Sequence, residues 1–230
     1  EALFLHELDD LDNDGVPDGG WFAVGNPDLK PERSRNVNLS VGYAGDRAQV
    51  ELTVFRRDID DYINSYVPFT IAGVESESFE NSDDEVNVRG AELQVDAPVT
   101  GTVHVNASFT YTRALFNDEG QQLDDIPRRQ AKLGVDYRPL SERWGAGLHV
   151  IYVGDVNDRE QRDRYTVADL TGFMHLDAAG KHRISARVEN ITDKTYATSV
   201  GRGTRDNGDN YLYDNIGVPR TFHLSYRYAW

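Results

Sequence analysis

The sequence contains no cysteine, which excludes disulfides, thiolate catalysis and cysteine-ligated zinc. It also lacks any run approaching the ~18 consecutive apolar residues of a membrane helix. Basic residues are scarce, 24 Lys and Arg against 39 Asp and Glu, for a formal net charge of −15. A nucleic-acid partner calls for the opposite sign, so none is expected. Catalytic signatures are missing as well: no glycine-rich phosphate loop after a strand, no nucleophile elbow, no HExxH. Carboxylates abound, but in polar loops rather than in an apolar pocket that would split their pKa values, so no enzyme is expected. The opening Glu1-Ala2-Leu3-Phe4 has neither the basic head nor the apolar core of a leader, and the chain reads as starting within a loop.

What the sequence does contain is alternation. Val37, Leu39, Val41 and Tyr43 interleave with Asn38, Ser40 and Gly42. Ala48, Val50, Leu52 and Val54 interleave with Gln49, Glu51 and Thr53. Val103, Val105, Ala107, Phe109 and Tyr111 interleave with His104, Asn106, Ser108 and Thr110, and Phe222, Leu224, Tyr226, Tyr228 and Trp230 with His223, Ser225 and Arg227. Period two with a wealth of Val, Tyr, Phe and Thr means strands with one apolar face. Nine segments follow this rule: 34–44, 47–66, 77–97, 101–115, 127–138, 143–155, 163–176, 181–198 and 218–230. No helix and no repeat beyond the hairpins is expected.

The connections alternate in length. Short turns are expected at Ala44-Gly45-Asp46, Pro98-Val99-Thr100-Gly101, Pro139-Leu140-Ser141-Glu142 and Ala178-Ala179-Gly180, and long polar ones at 1–33, 69–86, 115–126, 155–163 and 199–217. The long connections hold 26 acidic and 6 basic residues, leaving 13 acidic and 18 basic for the rest, so the acidity belongs to one end of the molecule. Short turns on one side and long loops on the other describe an up-and-down antiparallel transmembrane barrel, whose strands escape a hydropathy test because they average apolar and polar residues. Nine strands entered from a long loop end on the short-turn side, and the terminal Tyr228-Ala229-Trp230 suits a membrane interface.

Four segments carry a family resemblance: Asn26-Pro27-Asp28-Leu29-Lys30-Pro31-Glu32-Arg33-Ser34, Val88-Arg89-Gly90-Ala91-Glu92-Leu93, Val188-Glu189-Asn190-Ile191-Thr192-Asp193-Lys194-Thr195-Tyr196, and Gly217-Val218-Pro219-Arg220-Thr221-Phe222 running to Trp230. In order and spacing they resemble boxes in the second half of TonB-dependent outer-membrane receptor barrels. All four are expected to maintain the barrel rather than do chemistry. The resemblance implies a 22-stranded barrel filled by an N-terminal plug, of which this chain supplies about nine C-terminal strands. It divides the chain into an extracellular loop, 1–33, and barrel, 34–230, with the plug, the TonB box and the first ~13 strands on a preceding segment, because an open edge in lipid leaves backbone groups unpaired.

Candidate sites lie in the long loops. Asp10, Asp12, Asp14 and Asp18, with the Val16 carbonyl, follow the spacing of a calcium loop, although Trp21 stands where an EF-hand has its bidentate glutamate. Calcium is therefore a candidate ligand there, and no organic cofactor is expected. In some haem receptors of the family a loop histidine upstream of the first of these boxes ligates iron, which makes His6, 20 positions before Asn26, a candidate. Trp21, Phe22, Tyr211 and Tyr213 offer aromatic contact area, and Arg202 and Arg205, with Arg220, offer charge for an anionic chelate. His104, His149 and His223 fall on the polar face as hydrogen-bonded wall residues, and Arg187 and Glu189 are expected there too, paired with neighbours or with the plug. The expected function is active import of a scarce ligand, an iron chelate such as a siderophore or haem, across the outer membrane of a Gram-negative cell, with outer-membrane lipid and the TonB–ExbB–ExbD complex as partners. The alternative is a secreted calcium-binding β-sandwich for adhesion or glycan binding.

Overall fold

The computed structural model describes residues 3–9, 19–71, 74–116, 122–158, 160–204 and 210–230 of the chain. Every regular element among them is a strand: β1 (Leu3–Asp9), β2 (Gly19–Val24), β3 (Arg33–Gly45), β4 (Ala48–Asp60), β5 (Ile63–Ile71), β6 (Val74–Asn81), β7 (Val86–Pro98), β8 (Val103–Phe116), β9 (Arg129–Tyr137), β10 (Trp144–Val153), β11 (Val156–Asp158), β12 (Glu160–Arg162), β13 (Tyr165–His175), β14 (His182–Glu189), β15 (Ala197–Thr204), β16 (Asn210–Ile216) and β17 (Thr221–Tyr228). Nine of them form one sheet in the order β17-β14-β13-β10-β9-β8-β7-β4-β3. Those nine are the alternating segments, and each pairs with the next in chain order, a meander. A sandwich would divide them between two stacked sheets, so the adhesion-module alternative is set aside.

The chain forms two compact units: residues 1–36, 57–87 and 115–119, and residues 37–56, 88–114 and 120–230. The first contains a four-stranded sheet, β1-β2-β6-β5. Its Asn26-to-Ser34 box is a strap held by side-chain amides. Asn81 Oδ1 accepts the Lys30 amide at 2.7 Å, and its Nδ2 donates to the carbonyls of Lys30 and Asp61 at 2.9 and 2.7 Å. Asn26 Nδ2 donates to the Phe79 carbonyl at 2.9 Å. The prolines Pro27 and Pro31 carry no amide donor, so these side chains hold a segment that no ladder would accept.

In the second unit the alternation becomes two faces. The register pairs Leu148 with Val135 and Leu170, and Leu170 with Val188, which in turn faces Phe222. This face is apolar and exposed, and most exposed on the two edge strands: Leu224 79% and Val41 68%, against 40% for Leu148 within the sheet. Edge strands lack a neighbour on one side, so the sheet is open at β3 and β17 among the described residues. The other face carries Asn106, Lys132, Asp136, His149, Asp169, Arg187 and His223, from the intervening positions of the same strands.

The short turns have local causes. Between β13 and β14, Gly180 takes φ 69, a left-handed conformation that only glycine adopts without penalty. There the Asp177 carboxylate accepts the His182 and Lys181 amides at 2.8 and 3.3 Å. Between β9 and β10, Glu142 (φ 51) donates its amide to the Pro139 carbonyl at 2.8 Å.

Three expected segments overran their strands. The segment 47–66 breaks at Asp61 (φ 56), and β5 belongs to the other sheet. The segment 77–97 breaks at 82–85 between β6 and β7, and 181–198 breaks at Asn190 (φ 47) before β15. Alternation continues through each break because the hairpins beyond are strands too. For the same reason the long connections are not plain polar loops: they contain β1, β2, β5, β6, β11, β12, β15 and β16.

Candidate functional site

The polar face of the second unit is cross-linked. Arg187 Nη2 lies 2.7 Å from Asp169 Oδ2 and 2.9 Å from Glu189 Oε1, and Glu189 Oε2 lies 3.1 Å from His223 Nε2. His149 Nε2 lies 3.8 Å from Asp136 Oδ1, and His104 Nε2 lies 2.8 Å from Asp96 Oδ2. Strands β9, β10, β13, β14 and β17 thus share one ribbon of alternating charge. The side chains of Asp136, His149 and Thr171 converge on Gly147, where an added Cβ would meet all three. Around this spot lies a trough of about 490 Å³ whose lining includes Arg183, Arg187, His223 and Phe173. The Arg183 guanidinium stacks 4.1 Å from the Phe173 ring centroid. Apart from Arg183, which rests on the Phe173 ring, the charges named here are paired, and paired charges present polar contacts at a lower desolvation cost than lone ions.

Where these strands leave the sheet, two of the sequence boxes meet. Asn190 is 2% exposed and has φ 47, which asparagine tolerates better than most residues. Its Nδ2 donates to the Lys194 and Val218 carbonyls at 2.8 and 3.1 Å, while its Oδ1 accepts the Lys194 amide at 3.0 Å. Its own amide donates to Asp169 Oδ1 at 2.9 Å, joining this clasp to the charged ribbon. Asp193 accepts the Arg220 amide at 3.1 Å and its guanidinium at 2.8 Å, and the Gly217 amide donates to the Tyr196 carbonyl at 2.9 Å. The clasp therefore closes the base of the β15–β16 hairpin. The Val88-to-Leu93 box is explained by Gly90, above which the Phe55 ring and the Tyr111 carbonyl leave no room for a side chain.

The Arg220 amide, then its guanidinium, hold the Asp193 carboxyl below the usual carboxylate range. A group depressed in the folded state stabilises it above the unfolded value, near pH 4, and that contribution disappears as pH falls through the lower folded value. Accordingly, the stability difference between wild type and Asp193→Asn should be constant near neutrality and vanish under acid. Thermal unfolding of the two proteins across pH 7 to 2 measures it, and a gap unchanged at the acid end would refute it.

In the hairpin, Tyr213 faces Gly201 and Tyr211 faces Gly203. Each ring lies over its bare partner, and the two ring centroids are 5.9 Å apart. Both tyrosines are partly exposed, Tyr211 at 39% and Tyr213 at 46%. Arg202 is opposite Leu212 in the same hairpin. Trp21 and Phe22 lie on β2, with Trp21 opposite His6 of β1, in the other compact unit. Asp10, Asp12, Asp14, Val16, Asp18 and Arg205 lie outside the described residues. The expected ligand residues thus fall into two groups in two units. Arg187 and Glu189 pair with each other as well as with neighbours. Sequence reading missed Asp136 and Asp169 as their companions and Gln122 as a buried anchor. Gln122 accepts the Ala114 amide at 3.1 Å and donates to the Thr112 and Ile126 carbonyls at 3.1 and 3.2 Å. Strand parity is the signal that would have found Asp136 and Asp169; nothing in the sequence points to Gln122.

Comparison with known proteins places this geometry. The sequence model described as "TonB dependent receptor-like, beta-barrel" matches residues 7–191. The chain belongs to the TonB-dependent receptor family. It is 27% identical over 180 residues to the vitamin B12 transporter BtuB of Photobacterium profundum, covering 76% of this chain and 29% of that protein. It is 36% identical over 151 residues to the iron-regulated outer membrane virulence protein of Vibrio cholerae serotype O1, covering 61% of this chain and 23% of that protein. Among solved structures, the copper transporter OprC superposes with a TM-score of 0.72 at 21% identity, over 89% of this chain and 33% of that one. The chain thus spans about a quarter to three-tenths of the length of these two curated relatives. TonB-dependent receptor barrels are outer-membrane proteins and the family is one of transport receptors, so the open nine-stranded sheet is part of a larger TonB-dependent receptor barrel.

Proposed function

We propose that this chain is the C-terminal part of the barrel of an outer-membrane receptor that imports a scarce ligand, an iron chelate, by an active transport cycle and performs no catalysis. The observation that carries the reading is the two-faced sheet: an exposed apolar face along all nine strands, backed by an ion-paired polar face on the intervening residues. Only lipid on one side and a hydrated lumen on the other satisfy both faces. The charged ribbon then lines the lumen and meets a plug domain carried by the rest of the protein. The acidic hairpins, residues 1–33 among them, stand outside the cell, and the Asp10-to-Asp18 loop holds calcium. Energy comes from the TonB–ExbB–ExbD complex acting on that plug. The iron chelate is favoured over a cobalamin because the chain's relatives also include the ferrioxamine B receptor of Salmonella typhimurium and the heme/hemopexin utilization protein C of Haemophilus influenzae.

The test uses the full-length receptor purified from outer membranes. Ferric siderophores, haemin and cobalamin are titrated by tryptophan fluorescence, with calcium and with a chelator. Saturable binding of an iron chelate is expected. Saturation by cobalamin alone would overturn the ligand class, and binding indifferent to chelator would overturn the calcium loop. In the same assay Gly203→Val should weaken ligand binding by about two- to tenfold. A branched side chain displaces the Tyr211 ring from its seat, and an aromatic contact is worth about 0.5–1.5 kcal/mol. Unchanged affinity would remove the hairpin tyrosines from the site.

A further inference from the structure

The apolar face ends differently at its two edges. At the end of the long hairpins and connections, the next residue on the same face is an arginine on, or directly preceding, seven of the nine sheet strands. Arg35 precedes Val37, Arg56 follows Val54, Arg89 precedes Ala91, Arg113 follows Tyr111, Arg129 precedes Ala131, Arg164 precedes Thr166 and Arg220 precedes Phe222. At the short-turn end the same face finishes in Tyr43, Tyr137, Trp144, Met174, Tyr226 and Tyr228. The next positions there, Val99, Gly101, Pro139, Glu142, Leu176 and Gly180, include no lysine or arginine.

Two of the arginines share a cavity. Tyr111 pairs with Arg129, and Tyr152 pairs with Ala131 on one side and Thr166 on the other. One step further along the strands, Gly154 comes between Arg129 and Arg164, with its amide donating to the Arg129 carbonyl at 2.8 Å. A Cβ on Gly154 would stand 3.0 Å from that carbonyl and 3.5 Å from the Arg129 Cβ, so glycine keeps the space between the two guanidinium groups open. The cavity measures about 430 Å³ and is also lined by Arg128, Tyr152 and Asp155. The Asp155 carboxylate accepts the Arg164 amide at 3.0 Å. Among the described residues neither the Arg129 nor the Arg164 side chain has a carboxylate partner.

We propose that the Arg129–Gly154–Arg164 cavity binds the phosphorylated headgroup of a glycolipid in the outer leaflet. The proposal rests on the barrel reading above. Arginine forks match phosphate geometry. A row of them at one edge of the lipid-facing band sits at headgroup depth, and its absence from the other edge matches a membrane whose phosphorylated glycolipid is confined to one leaflet. Tyr152 supplies the amphipathic ring expected at that boundary.

The test titrates the full-length receptor in neutral detergent with bisphosphorylated lipid A, with dephosphorylated lipid A and with inorganic phosphate. Each arginine near an anionic surface contributes on the order of fivefold in affinity. The double variant Arg129→Gln/Arg164→Gln should therefore bind bisphosphorylated lipid A roughly 25-fold more weakly. Arg164→Gln alone, at an exposed site just outside β13, should lose about fivefold, and dephosphorylated lipid should not discriminate the proteins. Equal binding by wild type and variants overturns the site. Displacement of lipid A by an equal concentration of inorganic phosphate overturns the lipid assignment in favour of a plain anion site. Insertion into phosphatidylethanolamine vesicles separates the two readings. Insertion of all the proteins without a difference in lipid A binding defeats this site alone, whereas no insertion by wild type defeats the barrel reading beneath it.

Discussion

Replacing Leu170 with arginine should destabilise the receptor in lipid by about 2–4 kcal/mol, whereas the same substitution at Thr171, one residue along, should cost well under half of that. The two positions are neighbours in β13 but point to opposite faces. Leu170 pairs with Leu148 and Val188 in the middle of the apolar face, and Thr171 pairs with Gly147 and Arg187 on the polar one. An arginine at Leu170 must bring its charge into hydrocarbon or deform the bilayer to reach water. At Thr171 it finds a hydrated trough with the Asp136 carboxylate within the same lining. Urea-titrated folding of the full-length receptor into lipid vesicles, followed by tryptophan fluorescence, measures both. Equal costs would mean that the apolar face does not meet lipid.

The second large effect is expected at Asn190. Asn190→Ala removes the donor to the Lys194 and Val218 carbonyls and the acceptor of the Lys194 amide. It also leaves a Cβ-bearing residue at φ 47. Lost hydrogen bonds at a buried side chain cost about 1–3 kcal/mol, and the left-handed backbone adds about 1 kcal/mol for alanine. A total near 3 kcal/mol follows, read as a fall in the urea midpoint of the folded barrel. Asn190→Gly separates the causes: it retains backbone freedom while losing the amide, and should recover only about 1 kcal/mol of the loss. Full recovery by glycine would show that backbone conformation, not the amide clasp, is what the site requires.

Strand identity was legible because it depends on a local property. Successive side chains of an extended chain point to opposite sides, so Val37, Leu39 and Val41 had to share a face wherever β3 lay. The placement of His104, His149 and His223 on the polar face followed from the same parity. The strand ends were less legible. At Asp61 and Asn190 the chain turns through left-handed φ and then resumes alternation, so no change of period marks the break. The hairpins inside the long connections were missed for that reason, since their acidic and glycine-rich composition resembles loop while their backbones still pair.

The site divides along the same line. Which residues line the polar face, and the four boxes that mark the family, are readable from order and spacing. That Arg187 reaches Asp169 across one strand boundary, or that Asn190 reaches Val218, 28 positions further along the chain, as well as Lys194, depends on the register between strands. That register is set by turn geometry and by the fit of apolar residues on the far face, and a one-residue slip would send every partner to the other side. Period two therefore determines the face of each residue from its neighbours alone, while only the paired sheet decides which charges meet and that arginines from separate strands, Arg129 and Arg164, line one cavity.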